Sequence, residues 1–461
     1  MTLIKSISGI RGTIGGKVGE GLSPLDVVKF TAAFGTWLQE KNNAKKLSLV
    51  TGRDARISGP ILSDLVNATL RSLGISVIDL GLSTTPTVEM AVTMEKAHGG
   101  IILTASHNPK EWNALKLLNS RGEFISEENG AEVLSIAEKE AFNFAKVDDL
   151  GKISKRNDYI QKHIDAILKL PYVDIEAIKA ADFHVVVDAV NSTGGIAVPL
   201  LLDAMGVTKV DGIYCEPTGE FAHNPEPLPA HLTDLSETIL EKNADLGITV
   251  DPDVDRLAMV CEDGSMFGEE YTLVAVSDYI LSLKGGPTVS NLSSTRALRD
   301  ITEKHGHTYF SSAVGEVNVV KKMKEVNAVI GGEGNGGVIF PALHYGRDAL
   351  VGIALFLSLL AKSGKAATAL RDSYPKYTIS KNKIELTPDI NVDKVLLEMA
   401  KKYSKQEVDS TDGVKIYFDK EWVHLRKSNT EPIIRIYAES ENFDKANQLA
   451  ENMIKEIKKV L

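Results

Sequence analysis

The chain has 461 residues, 43% of them apolar and 25% charged, with a formal charge of −10. That length exceeds one ordinary core, so several domains are expected, and the composition is that of a soluble globular chain rather than a disordered or membrane-embedded one. The acidic excess argues against nucleic acid as the main partner, because a phosphate backbone requires a basic footprint, although a small anion in a locally basic cleft stays compatible with it.

The N-terminal run MTLIKSISGIRG lacks the apolar core of a secretory signal, and the greasiest stretch, 352–361, is too short to span a bilayer. Cys215 and Cys261 lie far apart with no CxxC spacing, which supports neither a disulfide framework nor a zinc cage and fits a reducing compartment. A cytoplasmic protein with no membrane partner is the expectation.

In chain order, LSLVTGRD (47–54) reads as a buried strand, and Ile61, Leu65, Ala68 and Leu73 recur at helical spacing until Gly74. ISVIDLG is a second strand, a helix opens at Pro86, and GGIILTASHNP is a third strand whose end carries Ser106. The plan repeats in FHVVVDAV, a helix near 196–205, a strand near 207–213, a helix near 232–242 and ADLGITVDPDVDR. It repeats again in TVSNL, a helix at 296–305, HTYFSSAVG, a helix at 317–324 and NAVIGGEGNGG. Such alternation predicts parallel α/β units, and each third strand ends in an unusual loop: TASHN, DPDVD and GEGNG. From Tyr374 onward, alternation in VKIYF, WVHLRK and PIIRIYAES predicts an antiparallel sheet, closed by an amphipathic helix through Phe443, Ala446, Ala450, Met453 and Ile457. Polar stretches near 147–157 and 363–376 read as linkers.

Asp251, Asp253 and Asp255 alternate along an apparently extended segment, which would send their carboxylates to one side. Convergent carboxylates call for a cation, and an all-oxygen set suits Mg²⁺. A calcium loop is the rival, with Glu262 at the twelfth position, but Arg256 replaces its turn glycine and 257–260 reads as a strand. A solvated acidic loop is the plain alternative. Ser106 beside His107 lacks the GxSxG elbow, and neighbouring side chains on an extended segment diverge, so His107 is a poor base for it. Ser106 reads either as a helix cap or as a phosphoryl carrier beside a metal. Lys116 and Arg11 are candidates for acid–base or electrostatic work, or else surface charges. RKSNTEPIIR (426–435) offers guanidinium forks and short polar groups suited to a phosphate monoester, or a basic strand edge. Glu333 and Asn335 could hydrogen-bond sugar hydroxyls.

Together, TASHNP, DPDVDR, GEGNGG and RKSNTEP, in this order, resemble the α-D-phosphohexomutase superfamily, as do GIRG around Arg11 and HNPEPLP at 223–229. The resemblance implies three repeated mixed-sheet α/β domains and a C-terminal α+β domain around a central cleft. The implied divisions are a phosphoserine-bearing domain at 1–150, a metal-binding domain at 151–256, a sugar-recognition domain at 257–370 and a phosphate-binding domain at 371–461. It further implies a phosphoserine at Ser106, with Mg²⁺ on Asp251, Asp253, Asp255 and an oxygen of that group. Arg11, His107 and Lys116 would assist proton and charge transfer, and Arg256, Glu333 and Asn335 would contact substrate. Arg426, Ser428, Asn429, Thr430 and Arg435 would hold the phosphate that is not being transferred. The implied activity interconverts hexose 6- and 1-phosphates through a sugar bisphosphate, with hexose 1,6-bisphosphate a candidate activator. Glu316 in VGEVNVV and Asn335 in GEGNGG depart from patterns common in dual glucose/mannose enzymes and favour glucosamine phosphate, with phosphoglucomutase/phosphomannomutase activity as the alternative. A metal-dependent sugar phosphatase and a non-catalytic sugar-phosphate binder are the competing readings.

Overall fold

The computed structural model describes residues 2–6, 9–42, 44, 46–386, 390–427 and 433–459. It is a mixed α/β protein that divides into two compact units, one formed by Met1–Thr272 with Gly336–Thr368, the other by Leu273–Asn335 with Ala369–Leu461.

The first unit contains a seven-stranded sheet and a four-stranded sheet. The seven-stranded sheet runs Ile4–Ser6, Gly9–Thr13, Trp112–Leu118, Gly99–Leu103, Ser48–Arg53, Ser76–Leu82, Ile153–Lys155. Its middle strand, GGIIL, is buried throughout, as expected of a strand covered on both faces. Strands Gly99–Leu103, Ser48–Arg53 and Ser76–Leu82 pair in parallel, and Trp112–Leu118 returns antiparallel beside Gly99–Leu103. The four-stranded sheet repeats this order: Lys209–Ile213, His184–Asp188 and Leu246–Val250 are parallel, and Leu257–Cys261 returns antiparallel. The equivalence places the ends of Gly99–Leu103 and Leu246–Val250 at the same position in their respective repeats. The stretch expected as a linker at 147–157 instead contributes Ile153–Lys155, paired in parallel with Val77–Asp79. Its backbone groups find ladder partners there although its side chains are exposed, which is why apolar patterning gives no sign of it.

The helix Ala349–Ser363 is buried along nearly its whole length. Asp348 caps it, accepting from the amides of Leu350 and Val351.

In the second unit, Tyr309–Ser312, Thr288–Asn291 and Ile330–Glu333 form the third copy of the parallel order. The C-terminal sheet is antiparallel and runs Thr378–Glu385, Ile433–Ser440, Trp422–Lys427, Val414–Tyr417, Glu407–Asp409. The helix Phe443–Lys458 buries Ala446, Ala450, Met453 and Ile457, the stripe expected from 3.6-residue spacing. His424 is buried in this unit, with Nδ1 at 2.9 Å from the Ser293 hydroxyl and Nε2 at 2.6 Å from the Asp412 carbonyl.

Candidate active site

Ser106 sits in the turn that follows strand Gly99–Leu103, with a left-handed backbone (φ 49°). Its amide donates to Thr104 Oγ1 at 2.9 Å, and its hydroxyl donates to Asp251 Oδ2 at 2.8 Å. The turn is held from beneath by Arg56, whose guanidinium is fully buried. Nε donates to Asp54 Oδ2 (3.0 Å), Nη1 to the carbonyls of Pro109 (2.6 Å) and Trp112 (2.9 Å), and Nη2 to those of Ser106 (2.5 Å) and Asn108 (2.6 Å). All five donors of the fork are thus used. Asp54 also accepts from Thr104 Oγ1 at 2.7 Å, so one buried ion pair organises both ends of the turn.

Asp251, Asp253 and Asp255 are completely buried, and their oxygens lie close enough to share an ion. They do not converge by strand alternation as expected. The chain turns at Val254 (φ 63°), and the amides of Asp255 and Arg256 both donate to Asp251 Oδ1 at 3.1 Å, so a side-chain-capped turn gathers the carboxylates. Asp253 Oδ2 accepts from Thr85 Oγ1 (2.6 Å) and Lys116 Nζ (2.7 Å). Asp255 Oδ2 accepts from Arg347 Nη2 (2.6 Å) and, more distantly, from Lys116 (3.5 Å). Asp253 Oδ1 and Asp255 Oδ1 are buried yet accept no hydrogen bond. Buried carboxylate oxygens without donors are costly unless a cation answers them, and these hard oxygens fit Mg²⁺.

The electrostatics follow from that crowding. Burial, and then repulsion from Asp255 and Asp253, push the Asp251 carboxyl well above its ordinary value. For Asp255, burial acts upward but Arg347, Lys116 and Arg256 outweigh it and hold the carboxyl far below the usual range. Lys116 is desolvated, but Asp253 and Asp255 more than compensate, so its ammonium is held firmly protonated.

His107 Nδ1 lies 3.4 Å from Ser106 Oγ. The left-handed residue between strand and turn brings the two side chains together, contrary to the divergence expected of an extended segment. Burial, then repulsion from Arg256, drops the imidazole well below its ordinary pKa, so it is neutral there. Arg11, on strand Gly9–Thr13, is likewise lowered by burial and by Arg256. Arg256 lies 3.4 Å from Glu226 Oε1 in the HNPEPLP segment. Arg11, Arg256 and Arg347 all bear on His107, which makes this a locally cationic corner in an acidic protein.

In the second unit, Glu333 ends strand Ile330–Glu333 and its Oε1 accepts from Asn291 Nδ2 (2.8 Å) and the Gly315 amide (3.0 Å). Asn335 follows in the same loop. Glu316, next to Gly315, opens the helix Glu316–Val326 with its side chain buried. Arg426 and Arg435 stand directly opposite each other across the antiparallel pair, with Arg426 3.6 Å from Asp412. Ser428, Asn429 and Thr430 lie outside the described residues.

Four family models match the chain in order. They are the phosphoglucomutase/phosphomannomutase α/β/α domain I at residues 3–144, domain II at 161–264, domain III at 268–377 and the C-terminal domain at 385–456. The phosphoglucomutase/phosphomannomutase of Thermococcus kodakarensis is 38% identical over 456 residues, covering 98% of each chain. The chain belongs to the phosphoglucomutase/phosphomannomutase family. A phosphoglucosamine/phosphogalactosamine mutase of Sulfurisphaera tokodaii is 32% identical, again over 98% of each chain. The crystal structure of a phosphoglucomutase/phosphomannomutase family protein from Burkholderia thailandensis superposes with a TM-score of 0.83 at 23% identity, covering 99% of this chain and 97% of that one, and so shares the fold.

Membership of the phosphoglucomutase/phosphomannomutase family accounts for three α/β/α domains followed by a C-terminal domain. Three residues of the site went unread in the sequence: Arg56, Thr85 and Arg347. The RDAR run at 53–56 signals a buried pair only in retrospect, and Thr85 and Arg347 reach the aspartates from 168 and 92 residues away. No helix among the described residues is long and apolar enough to cross a membrane.

Proposed function

We propose that this phosphohexomutase interconverts hexose 6-phosphate and hexose 1-phosphate with Ser106 as the phosphoryl carrier, and that its preferred sugar is glucosamine phosphate. The observation that carries the reading is the Ser106 hydroxyl donating at 2.8 Å to a buried carboxylate triad that retains two oxygens without hydrogen bonds. Asp251, Asp253 and Asp255 would hold Mg²⁺, which when bound supplies charge neutralisation for the transferring group.

The resting chain carries the phosphoryl group on Ser106. In the first transfer the P–Oγ bond breaks, a bond forms to the free sugar hydroxyl oxygen, and the hydroxyl proton leaves to the protein. The resulting bisphosphate turns over and presents its other phosphate to Ser106, so sugar phosphate is conserved. Neutral His107, beside Ser106 Oγ, is the candidate acceptor for that proton, while protonated Lys116, paired with the metal carboxylates, supplies positive charge beside the transferring group. Arg11 and Arg256 supply fixed positive charge to the phosphoryl oxygens. Arg426 and Arg435 stand opposite each other across two strands, with Arg426 3.6 Å from Asp412, and the two guanidinium forks on one strand pair support their assignment to the distal phosphate.

The amino-sugar preference rests on carboxylates. Glu333 is bonded to the Gly315 amide and Glu316 is the next residue, so two acidic side chains belong to one corner of the sugar-recognition loops. A 2-ammonium group gains from such company, whereas a 2-hydroxyl of either configuration gains little. A coupled assay with Mg²⁺ and equal concentrations of glucosamine, glucose and mannose 6-phosphates tests the sugar, with the highest kcat/KM expected for glucosamine. Ser106→Ala tests the carrier: ³²P incorporation and isomerisation should vanish while substrate binding survives. Isomerisation retained in that variant overturns the covalent route, and stoichiometric release of inorganic phosphate by the wild type would make the protein a phosphatase instead.

A further inference from the structure

A second cluster of metal-ligating groups lies in the first unit and takes no part in the chemistry above. His163, on the helix Tyr159–Leu168, and His344 with Asp348, just before the helix Ala349–Ser363, converge so that Nε2 of each imidazole meets the same carboxylate oxygen. His163 Nε2 is 2.9 Å and His344 Nε2 3.2 Å from Asp348 Oδ2. One ligand atom from each of the three residues lies within 4.8 Å of the other two. His163 and Asp348 are completely buried, and the His344 side chain is 10% exposed, which leaves a way in.

The surroundings of these groups are those of ligands. Asp348 spends Oδ1 on capping its helix, which fixes the carboxylate and leaves Oδ2 for the two rings. His163 turns its other nitrogen onto an oxygen of the helix Thr85–Met94, with Nδ1 3.0 Å from Thr87 Oγ1, whereas His344 Nδ1 lies 3.4 Å from Glu89 Oε2 without a hydrogen bond. An outer oxygen partner on the far nitrogen is the usual means by which a metal-binding imidazole is held in tautomer and orientation.

We propose that His163, His344 and Asp348 form a second metal site, selective for a borderline divalent transition ion such as zinc. Four-coordinate zinc, with ligand bonds of about 2.0–2.2 Å, holds neighbouring donor atoms roughly 3.3 Å apart, so the observed separations need to open by only a few tenths of an ångström. Two imidazoles and one carboxylate suit zinc, cobalt or nickel and disfavour magnesium, whereas the aspartate triad has the opposite preference, so donor chemistry sorts the ions. Three protein donors leave a fourth position for water. An ion there would staple the helices Tyr159–Leu168 and Ala349–Ser363 beside the helix Thr85–Met94, whose first residue donates to Asp253.

The test uses the full chain, stripped with chelator and then held in excess Mg²⁺ so that the oxygen-rich triad is occupied. Co²⁺ is the probe, because a four-coordinate imidazole site absorbs strongly in the visible and an all-oxygen six-coordinate one does not. The expected result is one equivalent bound with the strong bands, displaced by Zn²⁺, retained in Asp251→Asn/Asp255→Asn and lost in His344→Gln. Thr87→Val, which removes the oxygen partner of His163 Nδ1, should weaken binding about 10–100-fold. X-ray absorption of the zinc-loaded wild type, expected to show two imidazoles, decides the matter even if His344→Gln does not fold. No cobalt bands in Mg²⁺, an oxygen-only shell around zinc, or binding that follows the aspartates rather than the histidines each overturns the site. None of these readouts depends on mutase activity.

Discussion

Arg56 offers the sharpest check on how the nucleophile is positioned. Its five N–H groups meet one carboxylate and four carbonyls, those of Ser106, Asn108, Pro109 and Trp112. Arg56→Lys keeps the charge but brings three donors; with one on Asp54, at least two carbonyls lose their partner. The Pro109 carbonyl keeps the Trp112 amide as donor, so at least one buried carbonyl is left unsatisfied, at about 1–3 kcal/mol of local stability. Displacement of Ser106 by about 1 Å would lower phosphoryl transfer on the order of 100-fold. Hydrogen-exchange mass spectrometry over residues 104–112 reads the first effect and single-turnover ³²P transfer the second. Both should change together, with exchange elsewhere in the chain largely unaltered. Wild-type exchange in that segment, with undiminished transfer, would refute the view that this guanidinium organises the turn.

Thr85→Val removes the 2.6 Å hydroxyl donor to Asp253 and should weaken Mg²⁺ binding about 10–100-fold in titration calorimetry, as loss of a ligand-orienting partner does. Arg435→Gln should raise KM for the sugar phosphate with little change in kcat, read in steady-state assays. Burial first, with Lys415 adding repulsion, lowers the His424 pKa to about 4, so between pH 6.5 and 4 the unfolded chain binds the proton that the folded chain refuses. Its contribution is therefore present above pH 6.5 and lost as pH falls toward 4. It amounts to about 3 kcal/mol, and His424→Gln should flatten that part of the stability profile.

Periodicity carried the three strand–helix repeats because each central strand is buried on both faces, and the loops ending those strands stood out by composition. The backbone conformations at Ser106 and Val254 did not follow from pattern. Both residues are left-handed, and neither is a glycine that would announce it. This is why extended-chain geometry separated His107 from Ser106 and credited strand alternation for gathering the aspartates. The strand Ile153–Lys155 escaped because its side chains are exposed and only its backbone is engaged. Arg56, Thr85 and Arg347 were invisible for a different reason: their roles depend on partners distant in sequence or on main-chain oxygens, which no local spacing encodes.

Lys116 and Arg347 sit against the aspartate triad as resident counter-ions, Lys116 on Asp253 and Arg347 on Asp255. A dication arriving there competes with ammonium and guanidinium rather than falling into an unopposed well. Were it to leave, Asp253 and Asp255 would still face these two cations. An ion held by these aspartates would therefore bind less tightly than three carboxylates without such neighbours would hold it.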